Sequence, residues 1–171
     1  AFGEALGLVL QGRGLIYLEG ELGAGKTTLT RGVLRAYGHQ GAVKSPTYTL
    51  IEPYELGSQR VYHLDLYRLS DPEELEFIGG RDVLADDALC IIEWPSRGEG
   101  WLPTPDLRLV LTVAAQGRLA SLTACSDLGS RILALLQRQV REASQVGETS
   151  EIREESKISD DQLENGVIQW K

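Results

Sequence analysis

The chain has no methionine, only two cysteines and no apolar run of the roughly 20 residues that a membrane-spanning helix needs. The missing methionine indicates that Ala1 is a processing or cloning boundary and not the natural start. Cys90 and Cys125 are too few for a disulfide framework or a zinc site of four cysteines, and Cys90 lies in an apolar run where burial is expected. The first residues lack the basic start of a signal peptide. These absences predict a protein of the reducing cytoplasm that does not associate with membranes.

Positive charge is also scarce. Against 25 acidic residues there are 17 Lys and Arg, which gives a net charge of −8 and a pI of about 4.8. A basic field that would attract a phosphate backbone is therefore absent, so any contact with nucleic acid is expected to be local or made through a partner. With 171 residues, of which 42% are hydrophobic, the chain is long enough to form one packed domain.

The composition changes near the C-terminus. Residues 146–171 contain seven acidic and three basic residues, and large apolar side chains are rare before Val167–Trp170. We therefore predict a domain over residues 1–145 and an acidic, mostly solvated tail over residues 146–171, with a short apolar anchor at its end.

Periodicity predicts an α/β fold. Helices are expected at residues 1–11, 26–37 and 128–140, with another helix starting at Asp71-Pro72. Apolar strands are expected at 15–19 and 89–93, and β-rich runs at 45–52 and 60–68, joined by a turn at 55–59. Runs 107–114 and 118–124 suggest a hairpin. The expected architecture is a mostly parallel sheet with flanking helices and an antiparallel hairpin at one edge.

A glycine-rich segment follows the first predicted strand and matches the Walker A pattern of glycine, four residues and Gly-Lys-Thr. Glycines let the backbone wrap around an anion, and the next helix presents its N-terminus to the same phosphates. The Lys26 ammonium can reach the β- and γ-phosphates, while the Thr27 hydroxyl can bind Mg²⁺. The residues expected to bind nucleotide here are Glu21, Leu22, Gly23, Ala24, Gly25, Lys26, Thr27 and Thr28.

A P-loop enzyme also needs carboxylates opposite this loop to hold Mg²⁺ and to orient the attacking nucleophile. Glu93 ends an apolar run in the layout of a Walker B strand, and Asp65 lies in a second strand-like run. We predict both as catalytic acids and metal-side residues. His63 and Tyr67 share a face with Asp65 if that run is a strand, and each is equally consistent with simple packing.

The segment after the P-loop helix contains a third candidate for a catalytic residue. P-loop nucleotide hydrolases place here a loop whose hydroxyl senses the γ-phosphate and Mg²⁺. Thr47 is the candidate in residues 45–49, and the alternative is the start of a threonine-rich strand.

Taken together these motifs resemble the TsaE family, the small bacterial P-loop ATPase subunit of the tRNA threonylcarbamoyladenosine system. The resemblance covers about residues 1–140. The segments that carry it occur in this order: 20–28 followed by Arg31-Gly32, Ser45-Pro46-Thr47-Tyr48-Thr49-Leu50, His63-Leu64-Asp65-Leu66-Tyr67-Arg68, 73–77 with Gly79 and Asp82, and Glu93-Trp94-Pro95.

The resemblance implies ATP hydrolysis with Mg²⁺, in partnership with two other subunits that transfer threonylcarbamoyl to the adenosine beside the anticodon of certain tRNAs. The tRNA would then be contacted only indirectly. The same resemblance implies a metal-side role for Glu93, a second essential acid at Asp65, a switch-like loop at Thr47 and a nucleotide contact from Arg118. It also implies that Trp94 lies beside the site.

The chain departs from the family pattern at both ends. Family members usually have an additional N-terminal segment that contributes to the adenine side of the pocket, whereas this chain begins inside the first helix. The tail from about Val146 is longer than the family pattern, so no role is transferred to it.

Three other function classes use the same loop. A small-molecule kinase usually has an arginine-rich lid, but Arg97 is the only arginine between Arg81 and Arg108. A GTPase needs an Asn-Lys-x-Asp type motif to read the base, and the only asparagine is Asn165. A nucleotide-binding adaptor without catalysis, in which the carboxylates are structural, is the remaining alternative.

Overall fold

A computed structural model describes residues 2–115, 117–145 and 166–170. Five α-helices lie in the described part: α1 Phe2–Leu10, α2 Lys26–Ala36, α3 Glu74–Phe77, α4 Gly80–Ala85 and α5 Asp127–Gln145. The strands are β1 Gly14–Glu19, β2 Ile51–Leu56, β3 Gln59–Asp65, β4 Leu89–Glu93, β5 Leu107–Ala114, β6 Gly117–Ala124 and β7 Val167–Trp170. A 3₁₀ helix spans Pro95–Gly98.

The seven strands form one sheet in the order β2-β3-β4-β1-β5-β6-β7. The four central strands β3, β4, β1 and β5 are parallel, and the pairs β2–β3, β5–β6 and β6–β7 are antiparallel. The predicted α/β class, the parallel centre of the sheet and the antiparallel hairpin are therefore confirmed. The hairpin is not outermost, because β7 pairs with β6 beyond it. Parallel strands end at one edge of a sheet, so the ends of β1, β3 and β4 lie together.

Both faces of the central sheet are covered. On β1, Ile16 and Leu18 face a large core that also contains buried residues of α1, α2 and α5, while Tyr17 faces a smaller core around Leu75 of α3. Strand β4 is buried along its whole length, as expected for a parallel strand with both faces covered. Cys90 is buried in the smaller core, as predicted.

Helices α1 and α2 touch through glycines. A Cβ atom added to Gly32 on α2 would lie only 2.8 Å from the Cα atom of Gly3 on α1. The backbones are therefore too close for any side chain at this crossing. Because α2 begins at Lys26, this contact fixes the helix that follows the P-loop.

The segment after α2 differs from the prediction. Residues 45–50 form a loop instead of the first part of a strand, and β2 begins at Ile51 and continues through Glu55, where a turn was expected. Strand β2 contains Pro53, which is tolerated because β2 is an edge strand and the missing N–H is not needed for a second partner. Strand β3 ends at Asp65, so Tyr67 lies beyond it and not on its face.

The apolar segment at the end of the chain is a strand. Val167–Trp170 pairs antiparallel with β6, and Ile168 lies opposite Ala120 and is buried in the large core. Before it, the Leu122 N–H donates to the Gly166 carbonyl at 2.7 Å. The predicted anchor is therefore a strand of the main sheet. The predicted solvated stretch and its boundary at residue 146 lie outside the described residues.

None of the helices in the described part of the chain combines the length and the apolar content required to cross a bilayer.

Candidate nucleotide-binding site

The glycine-rich loop connects the buried strand β1 to helix α2. Gly23 and Gly25 have φ angles of 80° and 102°, which side-chain-bearing residues adopt only with strain. Gly25 is the residue before the helix and provides no side-chain cap, and the first helical hydrogen bond is donated by Leu29 N–H to the Gly25 carbonyl at 2.9 Å. The N–H groups that precede Leu29 at the helix start have no intrahelical acceptor, as at any helix N-terminus. They form a set of donors suited to an anion.

Lys26 is buried, with 6% of its surface exposed. Its Nζ donates to the carbonyls of Gly20 and, at 3.1 Å, of Glu21, and lies 4.6 Å from the centre of the Trp94 ring. Burial lowers the pKa of this ammonium, and the negative charges of Glu93, Asp65 and Glu21 oppose that effect. The cation is therefore held at the mouth of the loop with little solvent to stabilise it.

Two carboxylates lie at the ends of neighbouring parallel strands. Asp65 on β3 is in register with Glu93 on β4, and only 4% and 2% of their surfaces are exposed. Asp65 accepts a hydrogen bond from the Tyr67 N–H at 2.9 Å. No Lys or Arg side chain forms a salt bridge with either acid among the described residues. A buried carboxylate without such a partner needs hydrogen-bond donors or a cation.

Hydroxyl groups from the loop after α2 supply donors to this pair. Ser45 Oγ donates to Asp65 Oδ2 and also lies 3.2 Å from Glu93 Oε2, so it contacts both acids. Thr47 Oγ1 donates to Asp65 Oδ2 at 3.3 Å. The loop predicted to contain Thr47 therefore reaches the acids. Ser45 contacts both of them, whereas Thr47 contacts only Asp65.

His63 completes the surroundings of Glu93. The imidazole is fully buried, and its Nε2 lies 2.6 Å from Glu93 Oε2. His63 precedes Asp65 by two residues on β3, so both side chains are on the same face of the strand. Ser45 and His63 are contacts that the sequence argument did not assign. The only signal in the sequence is proximity, since Ser45 lies two residues before Thr47 and His63 two residues before Asp65.

Trp94 follows Glu93 in a left-handed backbone conformation, with φ at 56° and ψ at 51°. A residue other than glycine is rarely found there, and its presence next to the two acids marks a constrained turn. Its ring packs against Tyr67 with the ring centres 5.0 Å apart and carries Lys26 on its face. Trp94 therefore lies beside the site, as expected.

Arg118 reaches the P-loop from the start of β6. Its Nε donates to the Ala24 carbonyl at 3.0 Å, and one terminal nitrogen lies 3.5 Å from the Gly23 carbonyl. The guanidinium therefore lies over the glycine loop and orients it through backbone carbonyls.

These elements surround one pocket of about 480 Å³. Of the residues predicted to form the site, ten line it, namely Leu22, Gly23, Gly25, Lys26, Thr27, Thr28, Thr47, Asp65, Glu93 and Arg118. Glu21 and Ala24 do not line the pocket. Glu21 instead accepts a hydrogen bond from Lys26 through its carbonyl, and the Ala24 side chain is buried in the large core.

The donor set fits a hard cation. Thr27, Asp65 and Glu93 line the same pocket and offer only oxygen atoms, which Mg²⁺ prefers. No group of three or more His, Cys, Asp or Glu side chains able to hold a metal by themselves occurs in the described part. A magnesium ion here would therefore depend on hydroxyl, phosphate and water oxygens as well, as is usual at nucleotide sites.

Several known proteins are similar to this chain in sequence. The family model described as "Threonylcarbamoyl adenosine biosynthesis protein TsaE" matches residues 1–120. A protein of Haemophilus influenzae named tRNA threonylcarbamoyladenosine biosynthesis protein TsaE is 52% identical over 119 residues, covering 70% of this chain and 75% of that protein. A protein of the same name from Treponema pallidum is 34% identical over 116 residues, covering 68% and 85%.

A solved structure agrees with these relatives. The crystal structure of YdiB from Bacillus subtilis superposes with a TM-score of 0.63 at 27% identity, covering 81% of this chain and 88% of that one. Together with the match of the family model over residues 1–120, these similarities show that the chain belongs to the TsaE family.

Proposed function

We propose that this chain is an ATP-binding and ATP-hydrolysing subunit that acts in the threonylcarbamoyl modification of the adenosine beside the anticodon of tRNA. In this role it acts on a partner complex that performs the transfer. The observation that carries the proposal is the meeting of a glycine loop, the buried Lys26 and two buried carboxylates in one pocket. The relatives named for tRNA threonylcarbamoyladenosine biosynthesis supply the biological setting.

The loop and Lys26 would bind the phosphates of ATP. Gly23 and Gly25 allow the backbone to curve around an anion, and the uncapped start of α2 offers N–H donors. Lys26 Nζ donates to two loop carbonyls, so binding requires Nζ to exchange these for phosphate oxygens. The exchange is favourable because a buried ammonium gains a negatively charged partner.

Thr27, Asp65 and Glu93 are the residues that would hold Mg²⁺. When bound, the ion neutralises negative charge on the phosphates. One of the two acids is then suited to accept a hydrogen bond from the attacking water and to orient it. Asp65 is held for such a task by the Tyr67 N–H and the Thr47 hydroxyl.

Partner subunits would complete the site. Arg118 is engaged with the carbonyls of the P-loop, and Arg68, which also lines the pocket, lies over the Tyr48 ring. Among the described residues we therefore assign no arginine finger. Hydrolysis by the isolated chain is therefore expected to be slow, because an arginine supplied by a partner contributes strongly to phosphoryl transfer in many such enzymes. The pI of about 4.8 favours contact with tRNA through the partners and not through this chain alone.

The test measures ATP hydrolysis by the chain alone, with the two partner subunits, and with the partners and tRNA. We expect stimulation that is specific to the complete mixture. Lys26→Ala should weaken nucleotide binding by about 10- to 100-fold, because this ratio corresponds to the free energy of one charge-assisted hydrogen bond. Lys44→Ala, at an exposed lysine outside this pocket, is the matched control and should bind normally.

The two acids are tested in the same mixtures. Glu93→Ala and Asp65→Ala should retain nucleotide and lose turnover, whereas Glu99→Ala, at an exposed acid, should leave turnover intact. Normal turnover in either buried-acid variant would show that the role assigned to that acid is wrong. Retained binding without hydrolysis in every mixture would instead indicate a nucleotide-binding adaptor. Phosphorylation of a small acceptor in the absence of partners would indicate a kinase.

A further inference from the structure

The contact between His63 and Glu93 joins two side chains that solvent does not reach. His63 is 0% and Glu93 2% exposed, and 2.6 Å separates Nε2 from Oε2. In the parallel pairing, His63 is opposite Ile91 and Asp65 is opposite Glu93, so the imidazole reaches diagonally across to the next strand. Packing alone does not explain a histidine at this position, because an apolar side chain of similar size would fill the space equally well.

The direction of this hydrogen bond follows from the chemistry of the two groups. An ionised carboxylate only accepts, so the proton of the bond belongs to Nε2 of His63. The other ring nitrogen, Nδ1, is buried and has no hydrogen-bond partner among the described residues. A buried N–H without an acceptor is costly, so the tautomer with its proton on Nε2 suits both nitrogens.

The hydrogen bonds of Glu93 are unevenly distributed over its two oxygens. His63 and Ser45 both contact Oε2, and within the described part of the chain no side-chain donor is recorded on Oε1. One oxygen is thus tied to the protein. The other remains available to a ligand.

We propose that His63 is a positioning residue that fixes Glu93 through Oε2 and thereby presents Oε1 to the metal. This inference rests on the proposed function, because it assigns a task to Glu93 within ATP hydrolysis. His63 itself touches neither the nucleotide nor the reacting atoms and acts only through the carboxylate. Partners that orient a metal-side residue in this way commonly contribute about 10- to 100-fold to metal affinity or activity.

Two substitutions separate this role from core packing. The amide nitrogen of His63→Gln can take the place of Nε2, whereas the shorter His63→Asn can only take the place of Nδ1. With the partners present, we expect His63→Asn to lower kcat by about 10- to 100-fold with a smaller change in KM, and His63→Gln to restore most of it. Equal kcat values for the two variants would overturn the proposal.

Binding of a fluorescent ATP analogue, measured with and without Mg²⁺, gives a readout that does not need turnover. His63→Asn should reduce the increase in affinity that Mg²⁺ produces, and should leave the affinity without Mg²⁺ close to that of the unmodified chain. Thermal unfolding of both variants shows whether a loss of activity or affinity results from a less stable fold. If the Mg²⁺ effect is unchanged in a folded His63→Asn chain, the positioning role is refuted.

A measurement that leaves His63 itself unchanged remains decisive even if both His63 variants fail to fold. The chain has two histidines, so His39→Gln leaves only the ring signals of His63 in a nitrogen-15 NMR spectrum. We expect the proton on Nε2, and a proton found only on Nδ1 would overturn the inference. Absence of ATP hydrolysis by the complete wild-type mixture would refute the proposed function but would not alter this result, so the two failures are distinguishable.

Discussion

Replacing Ser45 by alanine removes the hydroxyl that contacts both buried carboxylates. The hydroxyl has one proton, which goes to Asp65, while Glu93 lies at 3.2 Å and keeps His63 as its closer partner. A hydrogen bond to a charged group contributes about 1.5–3 kcal/mol. Because Asp65 retains the N–H of Tyr67 as a donor, we expect Ser45→Ala to lower the free energy of unfolding by about 2 kcal/mol.

For a chain of this length, 1 kcal/mol corresponds to about 2–4 °C in Tm, so Tm should fall by about 4–8 °C. The assay is thermal unfolding in the presence of a chelator, which keeps divalent cations from stabilising the acids. Thr49→Ala removes an exposed hydroxyl from the same loop and should change stability by no more than about 0.5 kcal/mol. Equal Tm values for the two variants would refute the reasoning that Ser45 stabilises the buried acids.

Two further predictions concern the thiols and the last strand. Burial raises the pKa of Cys90 to about 12, so this thiol stays protonated at pH 8. It should react with a disulfide reagent only after denaturation, whereas the exposed Cys125 should react in the folded chain. Two fast-reacting thiols in the folded chain would contradict this. Ile168→Ala should cost about 2–5 kcal/mol by chemical denaturation, while Val113→Ala, at a side chain 64% exposed, should cost far less. A similar cost at both positions would mean that β7 does not pack as described.

The P-loop unit could be predicted from sequence because its determinants are local. An apolar run, a glycine pattern and a helix that starts at Lys26 follow one another along the chain, and the structure places them as predicted. The strand that ends at Glu93 could be predicted equally well, since four consecutive apolar residues, Leu89–Ile92, precede a polar one. The hairpin of β5 and β6 was readable from two alternating runs with a turn between them.

The surroundings of the acids could not be predicted in the same way, because they depend on the register between strands. The contact of His63 with Glu93 requires β3 and β4 to be parallel neighbours in one particular alignment, and no local pattern specifies it. The β-rich composition of residues 45–50 predicted a strand, yet the hydrogen bonds from Ser45 and Thr47 to Asp65 hold that segment as a loop. Tertiary contacts outweighed local propensity there.

The two outer strands of the sheet affect the tendency of this protein to self-associate at high concentration. A strand with unpaired backbone groups is a template for another chain, and the sheet limits this at both sides. At one side β2 carries Pro53 between Glu52 and Tyr54, which interrupts any continuous ladder with a second molecule. At the other side the four-residue β7 pairs with Arg118–Ser121, so half of the eight-residue β6 is withdrawn from intermolecular pairing. Loss of β7 would therefore expose β6 and favour self-association before it affected the distant acids.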